Sequence, residues 1–501
     1  MNYCLQGHDR DNGVQEMLIS LLPDEPHDRV EALSGDGCRS TAWEEDGFLC
    51  ARAEILRGVR RSQAQTAVPI PAETDGEEYK RALTYAVKSA VYQALLPLLE
   101  QKPAWGSMTG VKPAKPARLA IREGMDPAAL EQYLRAHYDV SENRARLCRR
   151  AAEYAIRAED SLLPGETQLY LGIPFCPAKC SYCSFVSNDM ARWGFMIQPY
   201  LEALLQEVEA GGALLRQHGL PLGSVYIGGG TPTTLDAAQL DTLLAAIRRA
   251  FDLSRCREFT VEAGRPETIS EQKLWVLQRH GVTRISINPQ TMNDRVLQGV
   301  GRRHTARDIE ECYRMARQTG DFLINMDLIA GLPGENLQMF EETLAWLRSL
   351  APESMTVHTL SIKRSSLLHL WEAQLPDGEM VADMVRAGAR TAHEMGMQPY
   401  YLYRQKYMAG NQENVGYALP GHACLYNVEM MEETANVLAM GAGAASKRLF
   451  DRQGFIRRAF NVSDIRQYIS RVDEMAQRKR DLFLGGNAPA SCKSENVPEN
   501  A

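Results

Sequence analysis

The sequence predicts an α/β protein: a parallel sheet curled into a full or partial (β/α)6 barrel, with an α+β and helical extension before it and a covering region after it. Three observations carry this. Beyond residue 165, short apolar segments alternate with helix-length amphipathic ones, the pattern of parallel βαβ units with right-handed crossovers. Three thiols crowd into Cys176-Pro-Ala-Lys-Cys180-Ser-Tyr-Cys183, directly behind the first of those apolar segments. Glycine-rich or polar residues then recur where later strands end, which is where ligands gather in this architecture.

Four regions are expected: an extension over 1–165, a barrel over 166–375, a covering domain over 376–483, and a disordered tail over 484–501 rich in Asn, Ser, Glu and Pro. In the extension, residues 1–60 mix short apolar runs with Gly-Asp and Asp-Gly turns, and read as a small α+β unit. Leu83, Val87, Val91, Ala94 and Leu95 recur at helical spacing and mark one helix over 77–96. A loop with Pro103, Trp105 and Pro113 follows, then helices over 126–137 and 141–158. Lys112, Lys115, Arg118 and Arg122 could meet an anion or form a solvated helix start.

In the barrel, strands are expected at 168–173, 224–227, 258–262, 284–287, 322–328 and 354–358. Helices fall at 199–217, 236–250, 270–280, 305–319 and 336–349. Cys176 lies past the first strand, and Gly228-Gly-Gly-Thr-Pro-Thr233 past the second, where glycines let backbone approach a ligand or merely make a tight turn. Glu262 ends the third strand, Gln290 follows the fourth, and Asp327 closes the fifth. A buried acid is costly without a partner, for which Arg302 or Arg303 is a candidate.

Composition removes several function classes. A formal net charge of -7, with Lys and Arg spread along the chain, recommends no nucleic-acid partner. No run approaches the roughly 18 apolar residues of a membrane span, and the N-terminus has no signal-peptide pattern, so a cytoplasmic location is expected. Eleven cysteines, an odd number, suit a reducing compartment rather than a disulfide framework. The thiol spacing does not match zinc sites, which pair ligands two or four apart and need a second pair elsewhere. Three thiolates on a four-iron cluster would leave one iron open to a small molecule.

The segments Tyr170-Leu-Gly-Ile-Pro-Phe-Cys176 through Cys183, Gly228-Gly-Gly-Thr-Pro-Thr233, and Asp327-Leu-Ile-Ala-Gly-Leu-Pro-Gly334 resemble the radical S-adenosylmethionine (SAM) enzymes, in particular the oxygen-independent coproporphyrinogen III oxidase family. The likeness covers about residues 165–465. Ser286-Ile-Asn-Pro-Gln-Thr-Met-Asn293, the tyrosine-rich run from Tyr400 to Tyr407 and Trp105-Gly-Ser-Met-Thr-Gly-Val-Lys-Pro113 are similar to its coproporphyrinogen dehydrogenase (HemZ) branch. The resemblance implies a radical SAM barrel in which Cys176, Cys180 and Cys183 bind a [4Fe-4S] cluster and SAM chelates the open iron. Tyr170 and Tyr182 would border that site, and Gly229, Gly230 and Thr231 would hold the amino-acid end. Glu262 would lie further along the cofactor; Gln290, Arg302 and Asp327 match remaining family positions, the last two for the carboxylate and the ribose or a second cofactor.

The implied reaction is oxidative decarboxylation of two propionates of coproporphyrinogen III to vinyl groups, giving protoporphyrinogen IX in haem biosynthesis. A low-potential donor such as flavodoxin or ferredoxin would supply electrons. Lys363, Arg364, Arg404 and Lys406, interleaved with Tyr403 and its neighbours, offer cations and flat apolar surface for a tetracarboxylate macrocycle, or else a solvated cover. Other readings on the same scaffold are a radical methyltransferase or haem-degrading enzyme, and a haem-binding chaperone. The chaperone branch is marked by His-Asn-x-x-Tyr-Trp; the matching place here, from Cys424 to Met431, keeps only Asn427, leaving His422 and Cys424 as possible iron ligands.

Overall fold

The computed structural model describes residues 1–23, 25–71, 76–185, 187–362, 375–450 and 455–485. In the extension, β1 (Asn2–Gln6), α1 (Asp11–Leu21), β2 (Gly37–Glu45), β3 (Phe48–Arg57), β4 (Arg60–Pro69) and α2 (Glu77–Leu95) form one unit. Its sheet has the order β1-β2-β3-β4, parallel only between β1 and β2. Val14 and Leu18 of α1 and Val87 and Val91 of α2 pack on Ala51, Ala53 and Ile55 of β3, a core separate from the main one.

Three helices follow: α3 (Ala114–Arg122), α4 (Pro127–Tyr138) and α5 (Glu142–Asp160). The first falls where the prolines suggest loop; Pro113 and Pro116 sit at its start, where backbone N–H groups have no helical acceptor. Of the basic residues around α3, Arg122 is exposed, while the other three are engaged by acids of the chain itself. Lys112 and Lys115 reach Glu433 at 2.8 and 2.7 Å, and buried Arg118 spans Glu159 at 2.7 Å and Glu432 at 3.4 Å.

The central region runs β5 (Thr167–Ile173), β6 (Phe175–Cys176), β7 (Asn188–Asp189), α6 (Met190–Trp193), α7 (Ile197–His218) and β8 (Leu222–Gly229). It continues with α8 (Ala237–Ala250), β9 (Glu258–Glu262), α9 (Glu271–Arg279), β10 (Arg284–Ser286), α10 (Asp294–Gly299) and α11 (Ala306–Thr319). Then come β11 (Leu323–Ala330), α12 (Leu337–Leu350) and β12 (Ser354–Thr359). After them stand α13 (Gly378–Glu394), β13 (Gln398–Tyr403), β14 (Asn414–Ala418), α14 (Leu425–Glu432), β15 (Asn436–Met440), β16 (Ala445–Leu449), β17 (Ile456–Phe460), α15 (Ile465–Ser470) and α16 (Val472–Leu484).

The six expected strands form the parallel middle of one eleven-stranded sheet, in the order β13-β14-β12-β11-β10-β9-β8-β5-β15-β16-β17. Strands from 376–483 extend both edges of it. β14 and β13 add antiparallel beyond β12, whereas β15 lies parallel beside β5 before β16 and β17 turn back. The edge next to β5 is fastened by a buried charge cluster. Glu207 of α7 meets Lys479 of α16 and accepts from Tyr468, Asn461 and the Gly441 amide, the last three at 2.6, 2.9 and 2.8 Å.

Each central strand alternates in period two. Leu169, Leu171, Val225, Ile227, Val261, Ile285, Ile324, Met326, Met355 and Val357 enter the main core with the flanking helices. Their neighbours, Gln168, Tyr170, Ser224, Tyr226, Thr260, Glu262, Ser286, Asn325, Asp327, Thr356 and His358, face the other way and make a polar inner surface. Under that surface, α5 and α14 supply Ala155, Ala158, Tyr426 and Val428 to a smaller cluster with Tyr400 and Tyr401.

Candidate active site

The cysteine loop lies over the C-terminal ends of the parallel strands. Its entry is fixed by the parallel pairing of Phe175 with Asn188 and of Cys176 with Asp189, and its middle by the Ser181 amide donating to Val300 O at 3.0 Å. Cys176 and Cys180 are buried and Cys183 half-buried, and all ten cysteines among the described residues are free. Burial pushes the Cys176 thiol up, and takes Cys183 to about 11, so neither ionises readily without a cation or metal beside it. The loop already carries donors aimed at sulfur. Thr231 Oγ1 is 3.4 Å from Cys176 Sγ, and Arg265 Nη2 donates to Cys180 Sγ at 3.0 Å. Among the described residues no three His, Cys, Asp or Glu side chains gather as a single metal ion requires.

Beside the loop, Gly229 has φ +109, and its neighbour Gly230 sits where a Cβ would lie 2.6 Å from Phe175 O. Side chains there would push the glycine turn off the cysteine loop; with hydrogen bonds from Gly230 N to Ile173 O and from Thr231 N to Phe175 O, the two are locked together. Gly228 is also required, since its Cβ would strike the Glu262 carboxylate at 2.9 Å.

Beneath the mouth the inner surface is aromatic on one side and polar on the other. Tyr170, Tyr226 and Tyr426 stack, with Tyr226 to Tyr426 at 4.5 Å and Tyr170 to Tyr426 at 5.9 Å. Tyr226 donates its hydroxyl to Glu262 Oε1 at 2.6 Å. Burial raises the Glu262 carboxyl to about 7, with the nearby Asp327 charge acting the same way and the Tyr226 bond opposing both.

Asp327 behaves oppositely. Burial works to raise it, but His358 and Asn325 outweigh that and hold it below the usual carboxylate range. Asn325 Nδ2 donates to Oδ1 at 2.7 Å, His358 Nε2 is 3.7 Å from Oδ2, and Tyr403 Oη is 3.2 Å from His358 Nδ1. The partner expected from sequence, Arg302, is elsewhere: its Nη2 donates to Gly264 O at 2.7 Å, leaving Nε and Nη1 buried and unpaired. Asp327 also lies inside β11 rather than closing it. Gln290 holds φ +67, sustained by its amide on Asp327 O at 2.9 Å and by the Ile329 amide on its own carbonyl, and its Oε1 is buried with no partner. Gln168, Ser224, Thr260, Ser286 and Asn325 add further unpaired buried oxygens on the same inner face. Such groups are destabilising unless something polar meets them.

Tyr170, Tyr182, Gly229, Gly230, Thr231, Glu262, Gln290, Arg302 and Asp327 thus come together with the three cysteines around one mouth and its interior. The expected substrate cations do not join them. Arg404 is buried, its guanidinium 5.2 Å from the Trp105 ring, donating to Met108 O and Asn411 Oδ1, so it fastens the extension to the sheet. Lys406 faces α1, 3.9 Å from Glu16. Lys363, Arg364 and the tail from 486 lie outside the described residues. Arg265, Tyr226, Tyr426 and His358 also belong to this site; in the sequence His358 stands at an expected strand exit and Tyr226 shares the period-two face of polar Ser224.

Comparison with known proteins agrees with this geometry. Residues 170–347 match the Radical SAM superfamily. The chain is 36% identical, over 93% of its length and 92% of the relative's, to the oxygen-independent coproporphyrinogen-III oxidase-like protein HemZ of Bacillus subtilis. It is 31% identical to the heme chaperone HemW of the same organism, over 62% of this chain and 77% of that one. The structure of coproporphyrinogen III oxidase (HemN) from Escherichia coli superposes with a TM-score of 0.52 at 23% identity, covering 68% of this chain and 78% of that one, a likeness of fold. No helix among the described residues is long and apolar enough to cross a membrane. A polar-lined parallel sheet with a three-cysteine loop at its mouth, and a relative matched along almost the whole length, make this chain a member of the radical SAM superfamily, in its HemN/HemZ-like family, whose chemistry runs on a [4Fe-4S] cluster and SAM.

Proposed function

We propose that the chain is an oxygen-independent coproporphyrinogen III oxidase, converting two propionates of coproporphyrinogen III to vinyl groups with loss of carbon dioxide. The observation that carries this reading is the convergence of Cys176, Cys180 and Cys183, the Gly229–Thr231 turn and the polar inner face at one end of the sheet. It is supported by the oxidase-like name of the relative that matches along 93% of the chain.

The residues present fit the family's cofactors. Three free thiols on one loop suit a cluster that spreads its ligands over a cubane and keeps one iron open. The unpaired Arg302 Nε and Nη1, Gln290 Oε1 and Asn325 Oδ1 offer donors and acceptors for a molecule bearing carboxylate, amine and ribose hydroxyls. In this reading Cys176, Cys180 and Cys183 hold the cluster, and Gly229, Gly230 and Thr231 meet the amino-acid end of SAM. Tyr170 and Tyr182 border it, and Glu262, Gln290, Arg302 and Asp327 contact its far part or a second SAM. When bound at these residues, the cluster and SAM would supply one-electron radical chemistry at a substrate C–H bond. What the chain adds is a walled interior: the tyrosine stack lines one side and the glycine turn locks the cysteine loop over its mouth. With its carboxyl raised to about 7, Glu262 is protonated in part at neutral pH and can then donate a hydrogen bond, whereas Asp327, held low, accepts. The product side requires a one-electron acceptor for the substrate electron, and the reducing side a low-potential donor such as flavodoxin or ferredoxin.

A haem-chaperone reading finds little in the groups it needs. Cys424 Sγ donates to Glu258 Oε1 at 3.2 Å, and burial drives its thiol well up. His422 Nδ1 is 3.0 Å from Pro420 O, and both lie by the opening residues of the strands, opposite the cysteine loop. The test is anaerobic reconstitution, then SAM, reductant and coproporphyrinogen III. Carbon dioxide release and the divinyl product are expected, absent in Cys176→Ala. No decarboxylation above that control, with one haem bound per chain, would replace the oxidase reading by the chaperone.

A further inference from the structure

Among the described residues, Cys180 is the thiol that accepts a hydrogen bond from a cation, whereas Cys176 and Cys183 feel Arg265 and Lys179 only through space. Arg265 stands just past β9, on the turn Gly264–Pro266, and only 4% of it is exposed. Its Nη2 divides between Ala178 O at 2.8 Å and Cys180 Sγ at 3.0 Å, so one group grips both the backbone and the sulfur of the cysteine loop. Its other terminus, Nη1, is 3.4 Å from Glu267 Oε1. That carboxylate is ionised and partly offsets the guanidinium charge, but it does so from the far nitrogen, while Nη2 faces the sulfur; His304, whose imidazole burial keeps below its ordinary value, adds no positive charge beside it. Cys176, by contrast, meets the neutral Thr231 hydroxyl, and Cys183 the amide of Phe185. A guanidinium stays charged at any working pH, and in a buried setting its field falls off slowly. Hydrogen bonds and charge at ligand sulfurs are among the levers by which a protein sets the potential of an iron-sulfur cluster.

We propose that Arg265 is a positioning residue that fixes the Cys180 segment and raises the reduction potential of the cluster held there. This rests on reading Cys176, Cys180 and Cys183 as the cluster ligands. The reasoning is electrostatic: reduction adds a negative charge to the cluster, and a fixed positive charge against one ligand sulfur stabilises the reduced state more than the oxidised one. The buried Tyr182 hydroxyl also lies against the Cys180 thiol, but it is neutral and carries no fixed charge.

The test is a redox titration of the reconstituted, SAM-free protein, followed by electron paramagnetic resonance. In Arg265→Gln the cluster should load, and its one-electron reduction equilibrium should move about tenfold toward the oxidised form, a midpoint about 59 mV lower. Arg265→Lys, which keeps the charge, should lie nearer to wild type than to the Gln variant. If Arg265→Gln loads no cluster while Arg265→Lys loads with a near-wild-type midpoint, the need for the charge is upheld. Equal midpoints in wild type and Arg265→Gln, or equal loss of cluster in both variants, would overturn the role of Arg265. A wild-type chain that takes up no cluster would remove the ligand assignment itself, a failure distinct from equal midpoints.

Discussion

Glu262 shows at residue scale how the interior is tuned. Its carboxyl moves from 4.5 to about 7 on folding, chiefly through burial. Between those values the folded chain holds a proton that the unfolded chain has released, so stability falls as pH rises through the window and the full cost is felt above it. Glu262→Gln has no such proton to lose. The stability difference between variant and ligand-free wild type should therefore grow from near zero below pH 4.5 to on the order of 3 kcal/mol above 7. Glu335 and Glu432 are also raised to about 7, but they are present in both proteins and cancel. Urea titrations across that range decide it, and a difference that does not vary with pH would contradict the assignment. At this scale the sequence was informative about acids and thiols and silent about their partners. Asp327 stood out as an acid in an apolar run, but its neighbour His358 is a cross-strand diagonal contact, because register pairs Asp327 with Thr356. Register is set by the assembled sheet and leaves no local mark. Arg265 met Cys180 across 85 residues for the same reason.

At the scale of elements, helix and strand periodicity reproduced the six central strands closely, since each is a short run between capped helices. Asp236 of α8 and Thr305 of α11 make capping boxes with Gln239 and Asp308, which is why those helices start where the pattern starts. Prolines misled around α3, because a proline at a helix start resembles a proline in a loop until the following turn is seen. The tyrosine-rich β13 was legible as aromatic but not as an edge strand. Its neighbour Arg404 looks like a substrate cation in the sequence, which does not reveal which face is already covered. Trp105 covers it: the indole is fully buried, donates to Glu413 Oε2 at 2.9 Å and lies under Arg404. Trp105→Ala should lower stability by about 3–5 kcal/mol. Chemical denaturation measures this, and a loss under about 1 kcal/mol would mean that the extension is not held by that contact.

At the scale of the whole molecule, the extension and the C-terminal strands are parts of the enclosure. Arg118 and Lys115 bind α3 to the end of α14, whose Tyr426 floors the interior, and the Glu207–Lys479 cluster secures β15 against the outer edge of β5. One end of the sheet is therefore closed by α5 and α14, and the other carries the cysteine loop. We propose that this mouth holds one open-sited cluster and cleaves SAM. This is tested by counting iron and acid-labile sulfide in the anaerobically reconstituted chain and measuring 5'-deoxyadenosine formed with SAM and a strong reductant. Wild type should carry about four irons per chain and form 5'-deoxyadenosine steadily. Alanine at any one of Cys176, Cys180 or Cys183 should abolish formation. Full iron content and undiminished cleavage in even one of those variants would contradict the proposal.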